Sequence, residues 1–233
     1  MFKRRNCIIC DEEIQSPFTW KSIWTGTEDE KVCEDCNGKL SLITGEACQY
    51  CSRVLHDKYR QGPLCLDCVR WENDKEWSGY LEKNTSIFHY NDFLKEVIAK
   101  FKYRGDYALA EVFAPFVKEK LRDDHFDLVI PIPLSDERLK ERGFNQAEAI
   151  AATATLETFD ALLRIHTEKQ SKKSRKERIS LAQVFQVKDT KLVDGKKILL
   201  IDDIYTTGST LRHAAKALKQ SGATEITSLT LAR

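Results

Sequence analysis

The sequence predicts an α/β protein, a largely parallel sheet flanked by helices and preceded by a small cysteine-rich domain. Three observations carry this expectation. After residue 80, strand-like and helix-like runs alternate, which favours βα units over a bundle or a sandwich. All eight cysteines lie between Cys7 and Cys68 and all four tryptophans between Trp20 and Trp77, so composition changes sharply near residue 80. The segment ILLIDDIYTTGST, residues 198–210, runs four apolar residues straight into Asp202 and Asp203. A strand buried on both faces ends in two carboxylates only where cations or hydroxyls await them. At 233 residues the chain suits a domain of about 150 residues and a smaller one, expected at 81–233 and 1–80.

In the first domain the cysteines form four CxxC pairs: Cys7 with Cys10, Cys33 with Cys36, Cys48 with Cys51, and Cys65 with Cys68. Each pair puts two thiolates on one tight turn, and two pairs complete the tetrahedral sulfur shell that Zn²⁺ accepts without strain. Two structural zinc ions are expected. Pairing in sequence order is favoured, although spacing also allows an interleaved arrangement. Gaps of 22 residues (Cys10 to Cys33) and 13 (Cys51 to Cys65) bracket the usual ribbon spacing rather than match it. Disulfides would need an oxidising compartment, which the start of the chain does not suggest.

The second domain reads in order as strand 85–90 (TSIFHY), helices 92–103 and 108–121, strand 127–133 (DLVIPIP), helix 145–156, strands 161–166 and 184–187, strand 197–202, helix 209–222 and strand 225–232. Within DLVIPIP, Pro131 and Pro133 turn or end the strand. Behind the carboxylates, hydroxyls surround Gly208 and lead into an amphipathic helix. The backbone N–H groups of such a loop, at the positive end of a helix dipole, form an anion nest suited to a phosphate monoester. Thr206, Thr207, Ser209 and Thr210 add hydroxyl donors, and Gly208 lets the backbone approach closely. Ribose hydroxyls and Mg²⁺ would satisfy Asp202 and Asp203. A Walker B strand would also end in Asp, but the chain has no GxxxxGK[ST] loop.

Composition narrows the function classes. A net charge of +1 argues against a protein that coats nucleic acid uniformly, so any such contact must be local. The basic start has no apolar segment behind it, and no stretch approaches the roughly 18 apolar residues of a membrane span, so a cytoplasmic protein without membrane insertion is expected. The local exception to neutrality is KQSKKSRKER, residues 169–178, with six basic residues. It reads as a solvated loop, as a lid over a ligand, or as a contact to single-stranded DNA.

The fingerprint at 198–210 resembles the 13-residue phosphoribosyl pyrophosphate (PRPP) motif of type I phosphoribosyltransferases. The resemblance implies that Asp202 and Asp203 hold the ribose 2- and 3-hydroxyls while Thr206, Thr207, Gly208, Ser209 and Thr210 hold the 5-phosphate. It implies Mg²⁺ with PRPP, a pyrophosphate loop at Pro133 through Arg138, and Gln170 and Arg178 as catalytic residues of a mobile loop. The paired CxxC motifs, FKYRGD (101–106), PIPL (131–134) and RLKERGFNQA (138–147) narrow the resemblance to the competence protein F (ComF/ComFC) family, over essentially the whole chain. That family joins a double zinc ribbon to a type I phosphoribosyltransferase-like domain. It implies a role in DNA uptake during natural transformation, alongside other competence proteins. Two functions are then expected: a Mg²⁺-dependent phosphoribosyltransferase, or a single-stranded DNA-binding competence factor with a non-catalytic PRPP pocket. No segment of the sequence identifies an acceptor.

Overall fold

The computed structural model describes residues 6–14, 31–103, 105–165 and 184–233. Its cysteine half contains α1 (Glu34–Lys39), the short hairpin β1 (Arg60–Gln61) and β2 (Leu64–Cys65), and α2 (Leu66–Asn73). Then follow β3 (Lys83–Phe88), α3 (Asp92–Tyr103), α4 (Ala110–Lys120), β4 (Leu128–Pro131), α5 (Asp136–Arg142) and α6 (Gln146–Thr153). The chain continues with β5 (Leu162–Arg164), β6 (Phe185–Val187), α7 (Thr190–Val193), β7 (Lys197–Ile204), α8 (Ser209–Gln220) and β8 (Glu225–Ala232).

The central sheet has the order β3-β8-β7-β4, and every pairing in it is parallel. Residues of β7 alternate between two cores, as the two-residue strand period requires. Leu199 and Ile201 pack with α3, α4 and α6, whereas Ile198 and Leu200 pack with α8 and the β5–β6 hairpin. All four side chains are at most 1% exposed, which fits the unbroken apolar run. Truncating one of them to Ala would cost about 2–5 kcal/mol.

Two elements differ from the expectation. Strands β5 and β6 pair antiparallel with each other and stand apart from the main sheet. Helix α5 occupies part of the segment assigned to a loop. Its stops are local: the Ser135 side chain accepts from the Arg138 N–H, and Gly143 ends it at φ +78°. The cysteine half packs against the sheet. It runs along the free edge of β3, where Ile43 N–H donates to Ile87 O, His89 N–H to Ser41 O, and Asn84 N–H to Tyr50 O. An edge strand that would otherwise invite pairing with another chain is thereby covered. Cysteines of both halves of the module belong to the same two cores as the sheet.

Candidate functional site

Because the sheet is parallel, the C-terminal ends of β3, β8, β7 and β4 meet at one edge, where open α/β sheets bind ligands. Asp202 and Asp203 lie near the end of β7 and face a cavity of about 210 Å³. The cavity is also lined by Arg138, Arg142, Arg164, Lys102, Thr206 and Thr210. Asp203 is 8% exposed and its Oδ2 lies 2.6 Å from Lys102 Nζ. Its own N–H donates to Asp202 Oδ1 at 2.9 Å. Burial, and next the adjacent Asp203 charge, push the Asp202 carboxyl up to about 7, against the opposing pull of the Asp203 N–H, Lys102 and Arg164. Burial and the nearby Arg138 charge lower the Arg164 guanidinium. Four cations and two carboxylates thus share one small space. Among the described residues the buried Arg142 Nε–H has no acceptor, while Arg142 Nη1 donates to Gln146 Oε1 at 2.9 Å. An excess of positive charge with a spare buried donor suits a ligand that carries both hydroxyls and several negative charges.

After β7 the loop turns back through Gly208, at φ +79°. A Cβ there would fall 2.1 Å from the Tyr205 hydroxyl, and Tyr205 is itself buried, so glycine is required by both conformation and space. The first N–H groups of α8 have no partner within the helix and point toward this loop. Ser209 N–H reaches Thr207 Oγ1 at 3.4 Å. The loop is held from behind by the cysteine half: the Trp71 indole N–H donates to Thr207 O at 2.9 Å. One residue on, Glu72 Oε1 lies 2.9 Å from Nη2 of Arg212, a residue of α8 that is 1% exposed, and the Arg212 guanidinium stacks over Trp71 at 5.1 Å. Removing the partly exposed Glu72 would leave the buried Arg212 guanidinium without its carboxylate, which is destabilising.

The cysteines assemble in sequence order rather than interleaved: Cys7, Cys10, Cys33 and Cys36 form one group and Cys48, Cys51, Cys65 and Cys68 the other. Within each group the sulfur atoms lie within 4.8 Å of one another. The measured separations of 3.8 Å (Cys10 to Cys33) and 3.6 Å (Cys51 to Cys65) suit a metal tetrahedron. Zn–S bonds of about 2.3 Å imply a sulfur–sulfur edge of about 3.8 Å. The donor set and its dimensions therefore fit zinc, and each group could hold a metal ion.

Of the residues singled out in the sequence, Asp202, Asp203, Thr206, Thr210 and Arg138 line the one cavity. Thr207, Gly208 and Ser209 form the turn behind it. Arg138 lies in the third residue of α5, not in a loop, so the segment Pro133 through Arg138 ends in a helical turn. Gln170 and Arg178, with the whole basic run 169–178, lie outside the described residues. Sequence reading missed Arg164 and the contact of Lys102 with Asp203. Arg164 had a signal, a lone cation in an otherwise apolar strand; Lys102 had none, because only the packing of α3 against the sheet brings it to Asp203. Trp71 was likewise invisible, since its partner is 136 residues away. Among the described residues no helix is long and apolar enough to cross a membrane.

The chain is similar to several known proteins. Residues 111–233 match the phosphoribosyl transferase domain family. Competence protein ComFC of Bacillus subtilis (strain 168) is 39% identical over 97% of this chain and 94% of its own length. Competence protein ComFC of Streptococcus pneumoniae (strain ATCC BAA-255 / R6) is 34% identical over 97% and 99%. Among solved structures, a glutamine PRPP amidotransferase from B. subtilis, in complex with ADP and GMP, is 18% identical with a TM-score of 0.35. The similarity covers 52% of this chain and only 26% of that one.

Proposed function

The chain belongs to the ComFC family of competence proteins and carries its phosphoribosyl transferase domain, and from that premise we propose that it binds PRPP with Mg²⁺ and serves DNA uptake in natural transformation. The observation that carries this reading is the cavity in which Asp202 and Asp203 meet four cations beside the Gly208 turn. In this reading the two carboxylates accept from the ribose 2- and 3-hydroxyls. The 5-phosphate rests on the N–H groups at the start of α8 and the hydroxyls of Thr206, Thr207, Ser209 and Thr210. Arg138 and Arg142 face the pyrophosphate, which brings Mg²⁺, a cation that prefers such oxygen ligands. Lys102 holds Asp203 in place of the ligand and would be released when the hydroxyls arrive.

The two cysteine groups each hold one structural zinc, in a double zinc-ribbon domain at 1–80 that precedes a phosphoribosyltransferase-like domain at 81–233. Four thiolates close each site, so zinc supplies folding energy rather than chemistry. The family resemblance gives Gln170 and Arg178 a catalytic role, and the basic residues around them in the sequence, with the exposed rings of Tyr103 and Tyr107, give single-stranded DNA a sequence-independent contact. Calorimetry with PRPP and Mg²⁺ tests the central statement: binding is expected, weaker for ribose 5-phosphate, and no heat with either ligand would overturn it. A filter-binding titration with oligothymidylate at rising salt tests the DNA contact, which is refuted if no binding occurs at low salt.

A further inference from the structure

The two cysteine groups differ in how far a solute can reach their sulfurs. Cys48, Cys51, Cys65 and Cys68 are between 0% and 3% exposed, so the folded domain shields the whole second group. In the first group Cys7 and Cys36 are equally buried, but Cys10 is exposed and Cys33 half-buried. The two accessible sulfurs are neighbours, 3.8 Å apart, although they come from different CxxC turns. The second group has a pair just as close, Cys51 and Cys65 at 3.6 Å, and both of its members are sealed. Proximity is therefore common to the two groups and access is not.

A zinc-bound cysteine is a thiolate, the form that attacks an oxidant, so ligation prepares every sulfur for oxidation and exposure selects which one reacts. We propose that Cys10 and Cys33 are a redox-active pair, the site at which a hydroperoxide oxidises the chain and expels the first metal. The Cys10 sulfur attacks one oxygen of hydrogen peroxide, the O–O bond breaks, and the departing hydroxide takes a proton and leaves as water. Sulfur is oxidised by two electrons to a sulfenic acid while the peroxide oxygen is reduced. The Cys33 thiolate then attacks that sulfur, the S–S bond forms, and the second hydroxide leaves as water with a second proton. In sum, two thiolates, one hydrogen peroxide and two protons give one disulfide and two waters. Cys7 and Cys36 are left to the metal, half of the shell that a structural zinc requires.

The consequence is confined to one face. Ile9 and Leu40 bury against α3 and α4, Lys100 Nζ donates to Ile9 O at 2.9 Å, and Lys31 pairs with Glu111 of α4. These contacts come from the two segments that the first metal joins, residues 6–14 and 31–40. Its loss loosens them from α3 and α4 and leaves the second group and the Gly208 turn in place. The inference rests on the zinc reading of the first group and uses no residue of the cavity around Asp202 and Asp203.

The test treats the full-length protein, after its zinc content has been measured, with hydrogen peroxide and follows released metal with a chromogenic chelator. One zinc ion is expected to leave at least about tenfold faster than the other. Peptide mapping by mass spectrometry should place the new disulfide between Cys10 and Cys33, with the second group unmodified, and dithiothreitol with added zinc should restore the starting state. PRPP affinity should change by less than about twofold. Cys10→His keeps four zinc ligands but removes the accessible sulfur, so it should retain both ions and lose the fast release. If that variant fails to hold its metal, the wild-type peptide map decides alone. Release of both ions at one rate, retention of both, or a disulfide that omits Cys10 or Cys33 overturns the proposal while the zinc reading stands. Protein that carries no zinc before treatment overturns both. A fall in PRPP affinity in step with loss of the first metal overturns the confinement to one face.

Discussion

The two cysteine groups have the same ligands and the same spacing within each pair, yet they stand in different places. In the first group Cys10 is exposed and Cys33 half-buried, and the surroundings are the outer face of α3 and α4, with Lys100 Nζ donating to Ile9 O at 2.9 Å. In the second all four are buried, and α2, which begins just after Cys65 and contains Cys68, presses Trp71 and Glu72 against the Gly208 turn and α8. The same metal chemistry can therefore serve as a peripheral staple or as the footing of a ligand site. What decides between them is which element follows the last thiolate.

The largest effect should come from the second group. Cys68→Ser is expected to release its metal, lower the melting temperature and abolish PRPP binding, because a structural zinc is worth on the order of 10 kcal/mol. Cys10→Ser should lose the other metal and keep PRPP affinity within about twofold. Metal analysis and calorimetry on both variants decide this, and equal losses of affinity would erase the distinction between the groups.

Replacing the carboxylates gives the converse experiment. Asp202→Asn with Asp203→Asn should weaken PRPP by about a hundredfold or more, since a charge-assisted hydrogen bond is worth about 1.5–3 kcal/mol. Zinc content should stay at the wild-type value, so ligand loss and metal loss separate cleanly. A double variant that binds like wild type would contradict the site.

A smaller effect follows from pH. The Asp202 carboxyl, pushed up to about 7 chiefly by burial, lies above its value of about 3.9 in an unfolded chain. The folded protein therefore holds an extra proton between these values. The stability this confers on the free protein is full below pH ~4 and is lost as pH rises through 7. On the proposed PRPP reading, ligand affinity runs the other way, because it is the ionised form that would accept the ribose hydroxyls. Affinity should rise about tenfold from pH 6 to pH 8. Melting curves with and without PRPP and Mg²⁺ at the two pH values measure both trends, and Asp202→Asn should flatten the part of the slope that belongs to this group.

The smallest effect isolates the brace itself. Trp71→Phe keeps the ring stacked against Arg212 but removes the indole donor to Thr207 O. Loss of one neutral hydrogen bond should weaken PRPP about fivefold, with metal content unchanged. Wild-type affinity in Trp71→Phe would mean that α2 supports the turn by packing alone.

By itself the sequence determined the features whose cause is local. Four CxxC pairs specified two tetrahedral thiolate groups, because a tight turn fixes two sulfurs at once. The unbroken apolar run 198–201 specified a strand buried on both faces, and Gly208 marked a close backbone approach, which the structure realises as a left-handed turn that no larger residue fits. The caps of α5, Ser135 and Gly143, are also local features, although the prolines beside them read as a loop. Tertiary structure alone decided the rest. The sequential rather than interleaved grouping of cysteines depends on how the chain returns between pairs. Lys102 meets Asp203 and Trp71 meets Thr207 through packing between segments far apart in the chain. Nothing in the periodicity of either partner encodes such a meeting, because a contact closed over a long loop is selected by the shape of the whole core and not by the residues that happen to touch.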